Sequence, residues 1–300
     1  EMQRSLVGSE MCIRDRVYFS RIITPEKLVD VYKVLGRELS GKVAVKIHSG
    51  EPGGNHYLKP DFIKPLVDLL KGTIVECNTA YEGRRDTTPK HLKVMEEHGF
   101  SKIANVDIMD SDGEIELKIP NGKRIKSNYV GSHLKNYNSL MVLSHFKGHL
   151  MAGFGGALKN ISIGIASSHG KAYIHGAGDI KKIWSCEQNK FLESMADASK
   201  SITDFMKGNI AFINVMKDLS IDCDCDSDPA KPEMSDIGIM SSLDPVALDK
   251  ACVDMVYASK DKGKASLIRR IEDRRGVLII EASENLGIGS PDYELVDLDA

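Results

Sequence analysis

The sequence is poor in cysteine, holds a single tryptophan and has no long apolar run, and these shortages exclude several classes of protein. Six cysteines in 300 residues are too few and too scattered for a disulfide framework, so we expect reduced thiols, core residues or metal ligands. No apolar stretch approaches the roughly eighteen residues that a membrane-spanning helix needs. A basic start followed by an apolar stretch and a cleavage site is also missing, and we therefore expect a cytoplasmic protein with no membrane partner.

A surplus of charge of one sign is missing as well. The chain has 40 Lys and Arg residues against 43 Asp and Glu residues, which gives a formal net charge of −3. Nucleic acids and anionic membranes attract proteins through a basic surplus, so the composition predicts neither as a partner. We expect a small-molecule substrate or a metal ion instead. The composition leaves the oligomeric state open.

Residues 1–16 look foreign to the rest of the chain. The stretch 6–16 reads LVGSEMCIRDR and has neither a helical nor a strand period. It resembles the translation of a transposase-type sequencing adapter ending GAG ATG TGT ATA AGA GAC AG, which encodes residues 10–15 in order. An ordinary disordered tail is the alternative. We expect the segment to lack structure and exclude it from the fold, so that Cys12 leaves the cysteine count.

From residue 17 onward, short apolar strands alternate with amphipathic helices. Thr24 and Pro25 are typical of a helix start, and residues 42–47 (KVAVKI) are typical of a buried strand. This alternation predicts an α/β fold with a mostly parallel sheet covered by helices. The length suggests two lobes with a cleft, at 17–135 and 136–300. Further strands are expected at 73–77, 114–119, 140–143, 210–215, 237–241, 277–280 and 293–296.

Residues 144–175 (SHFKGHLMAGFGGALKNISIGIASSHGKAYIH) are the richest in chemistry. They hold four of the nine histidines, three lysines and six glycines, and they follow a predicted buried strand. In open α/β sheets, ligands bind beyond the carboxyl ends of the strands. Gly153, Gly155 and Gly156 let the backbone approach a ligand closely and can open a helix whose N-terminus favours an anion. The segment therefore predicts a cofactor or substrate site.

Familiar nucleotide and zinc motifs do not fit this segment. A phosphate-binding P-loop places lysine directly after a glycine, whereas Lys159 follows Leu158, and Leu158 also replaces the third glycine of the dinucleotide fingerprint. His145 and His149 would share one face of a helix, but the zinc protease motif needs Glu where Phe146 stands. Two surface or core histidines beside a flexible loop are the alternative. The density of histidines after a strand favours a functional site.

Four stretches carry a family resemblance: KIHSGEPGGNHYLKP (46–60), CNTAYEGRR (77–85), LSHFKGHLMAGFGGALKNISIG (143–164) and SLDPVALDKACVD (242–254). They resemble the widespread bacterial and archaeal family called domain of unknown function 362, and the likeness extends over the chain from residue 17. Many members carry an inserted ferredoxin-like region with cysteine-rich cluster motifs. This chain has only Cys186 there, so it resembles the short form of the family.

The string HLMAGFGGALK also resembles the nickel-pincer lactate racemases, which have a histidine, then AGYSGG, then a lysine. His149 and Lys159 are ten residues apart, and Lys159 and His175 are sixteen apart, as in those enzymes. The resemblance implies that His149 is an acid/base, that Lys159 is bonded to a pincer cofactor and that His175 is a nickel ligand. A neutral imidazole suits both of these histidine roles.

Two further loops follow predicted strands and offer acids, imidazoles, amides and cations to a small carboxylate. If the strands are neighbours, both loops converge on one cleft. A tight solvated turn is the alternative for the first loop. The candidate substrate-binding residues are His48, Glu51, Asn55 and Lys59 in the first loop, and Asn78 and Arg84 in the second.

The stretch 222–228 (DCDCDSD) places two thiols among four aspartates. In an extended segment Cys223 and Cys225 would face the same side, and two thiolates are half of a tetrahedral zinc or iron site. His48 or Cys186 would have to complete it. An acidic loop with two incidental thiols is the alternative.

Three other residues are predicted to lie outside any functional site. Cys252 lies on the apolar face of a predicted helix and is expected in the core. His91 and His98 fall on a charged helix and are expected to be solvated.

The sequence thus predicts a protein with a metal or other cofactor that performs racemase-like acid/base chemistry on a small organic acid. His149 and His145 would carry protons, while Lys147 and Lys159 would neutralise negative charge. Nickel, zinc or iron would be the metal, and a pincer-type cofactor is implied by the resemblance alone. The alternative is a non-catalytic protein that handles metal or iron–sulfur clusters through Cys223, Cys225 and Cys186.

Overall fold

Eight strands form one sheet in the computed structural model, which describes residues 16–300. The predicted adapter-derived residues 1–15, Cys12 among them, lie outside the described residues, whereas Arg16 begins the first strand. The strands are β1 (Arg16–Ser20), β2 (Val43–Lys46), β3 (Thr73–Glu76), β4 (Val106–Ile108), β5 (Glu114–Lys118), β6 (Ser127–Gly131), β7 (Ser139–His145), β8 (Lys147–His149), β9 (Gly153–Gly155), β10 (Ile210–Met216), β11 (Gly238–Ser242) and β12 (Glu294–Asp297). The helices are α1 (Pro25–Lys33), α2 (Pro60–Leu70), α3 (Thr88–Glu97), α4 (Ala157–Ser162), α5 (Ser168–His175), α6 (Gln188–Met206), α7 (Pro245–Ala258), α8 (Lys264–Asp273) and α9 (Leu278–Asn285).

The strand order of the sheet is β12-β1-β11-β10-β7-β2-β3-β4. Strands β10, β7, β2, β3 and β4 run parallel, and β11 is antiparallel to both of its neighbours. The prediction of an α/β fold with a mostly parallel sheet is therefore confirmed. Strands from both predicted lobes belong to this single sheet, and the division into lobes at 17–135 and 136–300 stays a prediction.

The central strand β7 is buried on both faces. Leu140 and Val142 pack in one hydrophobic cluster, while Met141 and Leu143 pack in a second. Successive side chains of a strand point to opposite faces, so the two clusters lie on opposite sides of the sheet. Cys252 packs in the first cluster, as expected. Among the helices of residues 16–300, none combines the length and the apolar character needed to cross a membrane.

Local signals placed most helices and strands correctly. The hydroxyl of Thr24 accepts a hydrogen bond from the amide of Lys27 at 3.2 Å, and Pro25 begins α1, which confirms the predicted start. The predicted strand at 277–280 (VLII) is wrong, because these residues enter helix α9. A short apolar run fits a buried strand or a buried helix equally well, and Ile279 and Ile280 supply the buried face of α9.

A buried carboxylate positions the segment that follows β9. Asp249 on α7 accepts hydrogen bonds from the amides of Ala157 and Leu158 at 2.8 and 3.0 Å, and from Asn214 at 2.7 Å. A Cβ atom on Gly156 would lie 2.3 Å from the same carboxylate, so only glycine fits there. Burial raises the pKa of Asp249 to about 6. This contact fixes the first turn of α4.

We expect Asp249→Asn to change how stability depends on pH. The folded pKa of Asp249 lies above its unfolded value of about 3.9, so its contribution to stability is fully present below about pH 4 and is lost as the pH rises through about 6. The free energy of unfolding of the wild type relative to the variant should therefore fall by roughly 2–3 kcal/mol between these limits. Chemical denaturation at several pH values measures it. Asp204→Asn, at an exposed site, is the control, and a pH-independent difference would contradict the assignment.

Candidate functional site

A cavity of about 280 Å³ lies at the carboxyl ends of the parallel strands, where Lys46 ends β2, Glu76 ends β3 and His145 ends β7. Its mouth is apolar, since Leu150 is 58% exposed and Trp184 is 67% exposed. The other lining residues are His48, Cys77, Thr79, Ala80, Tyr81, Arg85, Lys147, His149, Met151, Gly155, Lys159, Asn160, Ile163, Gly164, Lys171, His175, Ile183, Cys223 and Cys225.

The structure brings nine of the residues predicted for the site to this cavity. They come from loops that are far apart in the chain but follow neighbouring strands. The nine are His48, His145, Lys147, His149, Gly155, Lys159, His175, Cys223 and Cys225. The predicted residues that do not line it are Glu51, Asn55, Lys59, Asn78, Arg84, Gly153 and Gly156. Their roles in catalysis and binding stay predictions.

His149 carries its proton on Nε2. Its Nδ1 atom accepts hydrogen bonds from the amides of Met151 and Ala152, at 3.2 and 3.0 Å. A neutral imidazole whose Nδ1 is an acceptor must be protonated at Nε2. Burial, followed by the charge of Lys159, lowers the pKa of His149 to about 4, so the ring is neutral at pH 7. It therefore presents a hydrogen-bond donor.

His175 has the opposite tautomer. Its Nδ1 atom donates to the carbonyl of Lys171 at 2.7 Å, so Nε2 keeps its lone pair. The ring stacks on Phe191 with centroids 4.8 Å apart, which fixes its orientation. Burial lowers the pKa of His175 to about 3. His175 thus presents a neutral nitrogen that can accept a proton or bind a metal ion.

Cys223 and Cys225 lie in a tight turn rather than the extended segment that was predicted. The amide of Asp226 donates to the carbonyl of Cys223 at 2.8 Å and closes the turn. The amide of Cys225 donates to the sulfur of Cys223 at 3.3 Å, and the hydrogen bond with the side chain of Cys225 lowers the pKa of Cys223 well below its ordinary value. The ligand atoms of His149, Cys223 and Cys225 lie within 4.8 Å of one another, so this group could hold a metal ion. Its third member is His149, not His48 or Cys186.

Asp224 lies between the two cysteines and binds the side chains of Lys147 and His145. It pairs with Lys147 at 2.6 Å and with Nδ1 of His145 at 2.9 Å, while Nε2 of His145 contacts the carbonyl of Lys217 at 2.5 Å. Both nitrogens of His145 thus face acceptors. Burial raises the pKa of Asp224, but the charges of His145 and Lys147 outweigh it and hold the pKa low. Through these contacts, His145 and Lys147 hold the turn that contains Cys223 and Cys225, called here the cysteine turn.

Two lysines in the cavity lack a carboxylate partner among residues 16–300. The ammonium of Lys159 has no ion pair or hydrogen bond there, and the ammonium of Lys171 donates only to the carbonyls of Ala166 and Cys77, at 2.6 and 3.3 Å. The other cavity cations are paired, as with Lys147. Unpaired ammonium groups in a largely enclosed space attract an anion. The cavity is therefore suited to an anionic ligand.

Sequence reasoning missed a buried ion-pair network on the cavity floor. Lys46 and Glu76 pair at 2.9 Å, and both are almost fully buried. Arg85 pairs with Glu51 at 2.7 Å. Burial opposes the ionisation of Glu76, but the charge of Lys46 outweighs it and lowers its pKa. The sequence held one signal for this network: Lys46 and Glu76 each end an apolar strand. A charged side chain at such a position is rarely buried unless it is paired.

His91 and the remaining predicted residues occupy other positions. His91 is fully buried rather than solvated, since its Nε2 atom contacts the hydroxyl of Ser49 at 3.3 Å, and burial lowers its pKa to about 3. Arg84 points outward to Glu97, so the adjacent Arg85 is the arginine at the cavity. Lys59 is exposed, and its ammonium lies 3.7 Å from the ring centroid of Tyr57.

The other residues outside the cavity have structural contacts or remain at the surface. The side chain of Asn78 donates to Thr88 at 3.1 Å. Asn55 is exposed, and Cys186 is half-buried outside the cavity. The backbone of Gly153 packs against Gly276, whose Cα atom would lie 3.0 Å from a Cβ at position 153.

We expect Glu76→Gln to destabilise the fold strongly, because it leaves the buried ammonium of Lys46 without a counter-charge. Breaking a buried pair in this way typically costs about 3–5 kcal/mol. Adding Lys46→Met should restore part of the loss, since the uncompensated charge is then gone. Urea unfolding measures both. Glu116→Gln, which breaks an exposed pair with Lys118, should leave stability nearly unchanged. A double variant no more stable than Glu76→Gln would contradict the account.

Comparisons with known proteins give a family and two distant structures. The lactate racemase apoprotein from Thermoanaerobacterium thermosaccharolyticum has 16% identity and a TM-score of 0.48, covering 81% of this chain and 58% of that one. A structural-genomics protein from Thermotoga maritima has 12% identity and a TM-score of 0.45, covering 87% and 59%. This chain thus spans less than two thirds of either neighbour. The search of curated proteins returned no significant match. The family model for the domain of unknown function (DUF362) matches residues 43–254, and the chain belongs to that family.

Proposed function

We propose that the protein catalyses proton transfer on a small organic anion bound in the cavity. One observation carries this proposal: two neutral imidazoles of opposite tautomer, His149 and His175, line the same cavity. Removing a proton from carbon requires a group that accepts it and a donor that stabilises the charge left on a neighbouring oxygen. The two tautomers supply both.

The unpaired lysines support the choice of an anion. Lys159 would bind the carboxylate of the substrate. Lys171 would add a second positive charge from its place in the cavity, where the carbonyls of Cys77 and Ala166 hold its ammonium. Bound negative charge would offset the ammonium of Lys159, whose charge contributes to the low pKa of His175. Substrate binding would thus make His175 a stronger base at the moment it is needed.

The tautomers divide between His149 and His175 the acid/base role that the sequence gave to His149 and His145. His175 would accept the proton at Nε2, and His149 would donate a hydrogen bond from Nε2 to the substrate oxygen that gains charge. His145 and Lys147 would act as positioning residues, since their polar atoms are held by Asp224 and backbone carbonyls. The cavity of about 280 Å³ suits a molecule with few heavy atoms.

A metal ion fits part of this site. His175 donates from Nδ1 to a backbone carbonyl and keeps a lone pair on Nε2, which is the usual arrangement of a metal-binding imidazole. A nickel, zinc or iron ion there would supply Lewis-acid chemistry to the substrate oxygens. Lys159 is the residue on which a pincer-type cofactor would be held. His149 would become a ligand only if its proton moved from Nε2 to Nδ1, which would break the two hydrogen bonds from the amides of Met151 and Ala152.

A second candidate function is the handling of metal or iron–sulfur clusters. The proximity of His149, Cys223 and Cys225, with ligand atoms within 4.8 Å, favours it. Elemental analysis of the purified protein, with an assay for acid-labile sulfide, tests this function. Stoichiometric zinc or iron lost in Cys223→Ser would support it, and metal-free protein that cannot be loaded would exclude it.

The proton-transfer function predicts exchange of the substrate's α-hydrogen with solvent. The protein, as purified and after loading with nickel, zinc or iron, is incubated in D₂O with a panel of 2-hydroxy acids that includes lactate, and ¹H NMR follows the α-proton signal. We expect at least one acid to exchange, and His175→Gln to slow exchange by about 10²-fold or more. An unchanged rate in His175→Gln would overturn the assignment.

Lys159→Ala should weaken binding of that acid while leaving the thermal midpoint nearly unchanged, because Lys159 makes no ion pair within residues 16–300. His169→Gln is the control, since the side chain of His169 is 45% exposed and lies outside the cavity. Unfolding of Lys159→Ala would instead identify a structural lysine. The absence of exchange with every acid tested would contradict the proposed function.

A further inference from the structure

We propose that Cys223 and Cys225 form a redox-active pair, in which the thiolate of Cys223 reacts with a hydroperoxide and the thiol of Cys225 closes a disulfide. This inference concerns a different chemistry from proton transfer and does not depend on it. The two sulfurs line the same cavity and the proton-transfer proposal does not use them; the one group that both proposals use is the Nε2–H of His149.

Hydrogen-bond donors converge on the sulfur of Cys223. The amide of Cys225 donates to it at 3.3 Å, a ring nitrogen of His149 lies within 4.8 Å of both sulfurs, and His48 lines the same cavity. His48, like His149, is fixed as the Nε2–H tautomer, because the amide of Gly50 donates to its Nδ1 atom at 3.1 Å. An amide hydrogen bond and imidazole N–H groups in the same cavity stabilise the thiolate of Cys223, which is the reactive form.

The same geometry separates this proposal from a metal site. A histidine that binds a metal through Nε2 needs a lone pair on that atom, and its other nitrogen usually donates to a carbonyl or carboxylate. In His149 and His48 the backbone donors reach Nδ1, so the nitrogen left to face Cys223 carries hydrogen. These imidazoles are therefore arranged to hold a thiolate.

The second thiol is placed to complete a disulfide. Cys225 is hydrogen-bonded to Cys223, and the two occupy the first and third positions of a turn closed by the amide of Asp226. Such a turn brings its first and third Cα atoms to within the roughly 4.4–6.8 Å that disulfides span. Lys147 pairs with Asp224 between them and adds positive charge beside the thiolate.

The chemistry balances with a hydroperoxide as the oxidant. The thiolate of Cys223 attacks one peroxide oxygen, the O–O bond breaks, and sulfur becomes a sulfenic acid while hydroxide leaves and takes up a proton. The thiol of Cys225 then loses its proton and attacks the sulfenic sulfur. The S–O bond breaks, the S–S bond forms and water leaves. Two thiols are oxidised to one disulfide, and hydrogen peroxide is reduced to two waters.

The remaining described cysteines have other surroundings. Cys77 lines the cavity but packs in the hydrophobic core, as Cys252 does, and burial raises the pKa of Cys77 to about 12. Cys186 is half-buried outside the cavity, so it is accessible but lacks the donors around Cys223. It is therefore the matched control within the wild-type protein.

The test is competition between cysteines in the reduced, full-length wild type after treatment with EDTA. Limiting hydrogen peroxide is added, and peptide mass spectrometry records which thiols are lost. We expect Cys223 to be consumed at least about tenfold faster than Cys186, with a peptide that has lost two hydrogens and links Cys223 to Cys225. Because the comparison uses the wild type, it remains decisive where a variant fails to fold.

Three variants complete the test. Cys225→Ser should leave a sulfenic acid on Cys223 that dimedone traps, Cys223→Ser should abolish the fast reaction, and Cys186→Ser should leave it unchanged. Faster loss of Cys186, or a sulfenic acid in the wild type that never becomes a disulfide, would overturn the proposal. Protection of both cysteines by an ion that EDTA does not remove, found by elemental analysis, would overturn it in favour of a metal site. None of these outcomes decides whether α-hydrogen exchange occurs.

Discussion

Backbone groups decide which nitrogen of each cavity histidine carries the proton, and the chemistry available to the site depends on that choice. Amides reach Nδ1 of His149 and of His48, while a carbonyl reaches Nδ1 of His175. The first two rings are consequently donors and the third is an acceptor. Since burial keeps His149 and His175 neutral at pH 7, titration near that pH does not erase the difference.

The fold supplies these backbone groups at the carboxyl end of its parallel strands. His48 follows β2, His149 ends the short strand β8 beyond β7, and His175 ends α5. Asp224 brings the cysteine turn to the same place, because its carboxylate holds Lys147 and its carbonyl accepts from the amide of Glu51 at 2.8 Å. One edge of the sheet thus gathers an acceptor imidazole, donor imidazoles, unpaired ammonium groups and two thiols.

Periodicity and turn chemistry were enough to predict most strands and helices, as with Thr24 and Pro25 at the start of α1. They failed at 277–280, where an apolar run without flanking signals fits either structure. Sequence also predicted that the glycine- and histidine-rich segment, His48 and the two cysteines belong to a site, but it did not predict the buried ion pairs beside them. Lys46 and Glu76 meet only because β2 and β3 are neighbours, and Arg85 rather than Arg84 faces inward because of the local turn. Such contacts depend on tertiary geometry, as do the tautomers.

The most direct test of this account is the tautomeric state of the three histidines. Long-range ¹H–¹⁵N correlation NMR at pH 7 distinguishes a proton on Nδ1 from one on Nε2, and single His→Gln variants assign the signals. The account predicts the proton on Nε2 in His149 and His48, and on Nδ1 in His175. A spectrum with His149 and His175 in the same tautomer, or with either ring doubly protonated, would contradict it.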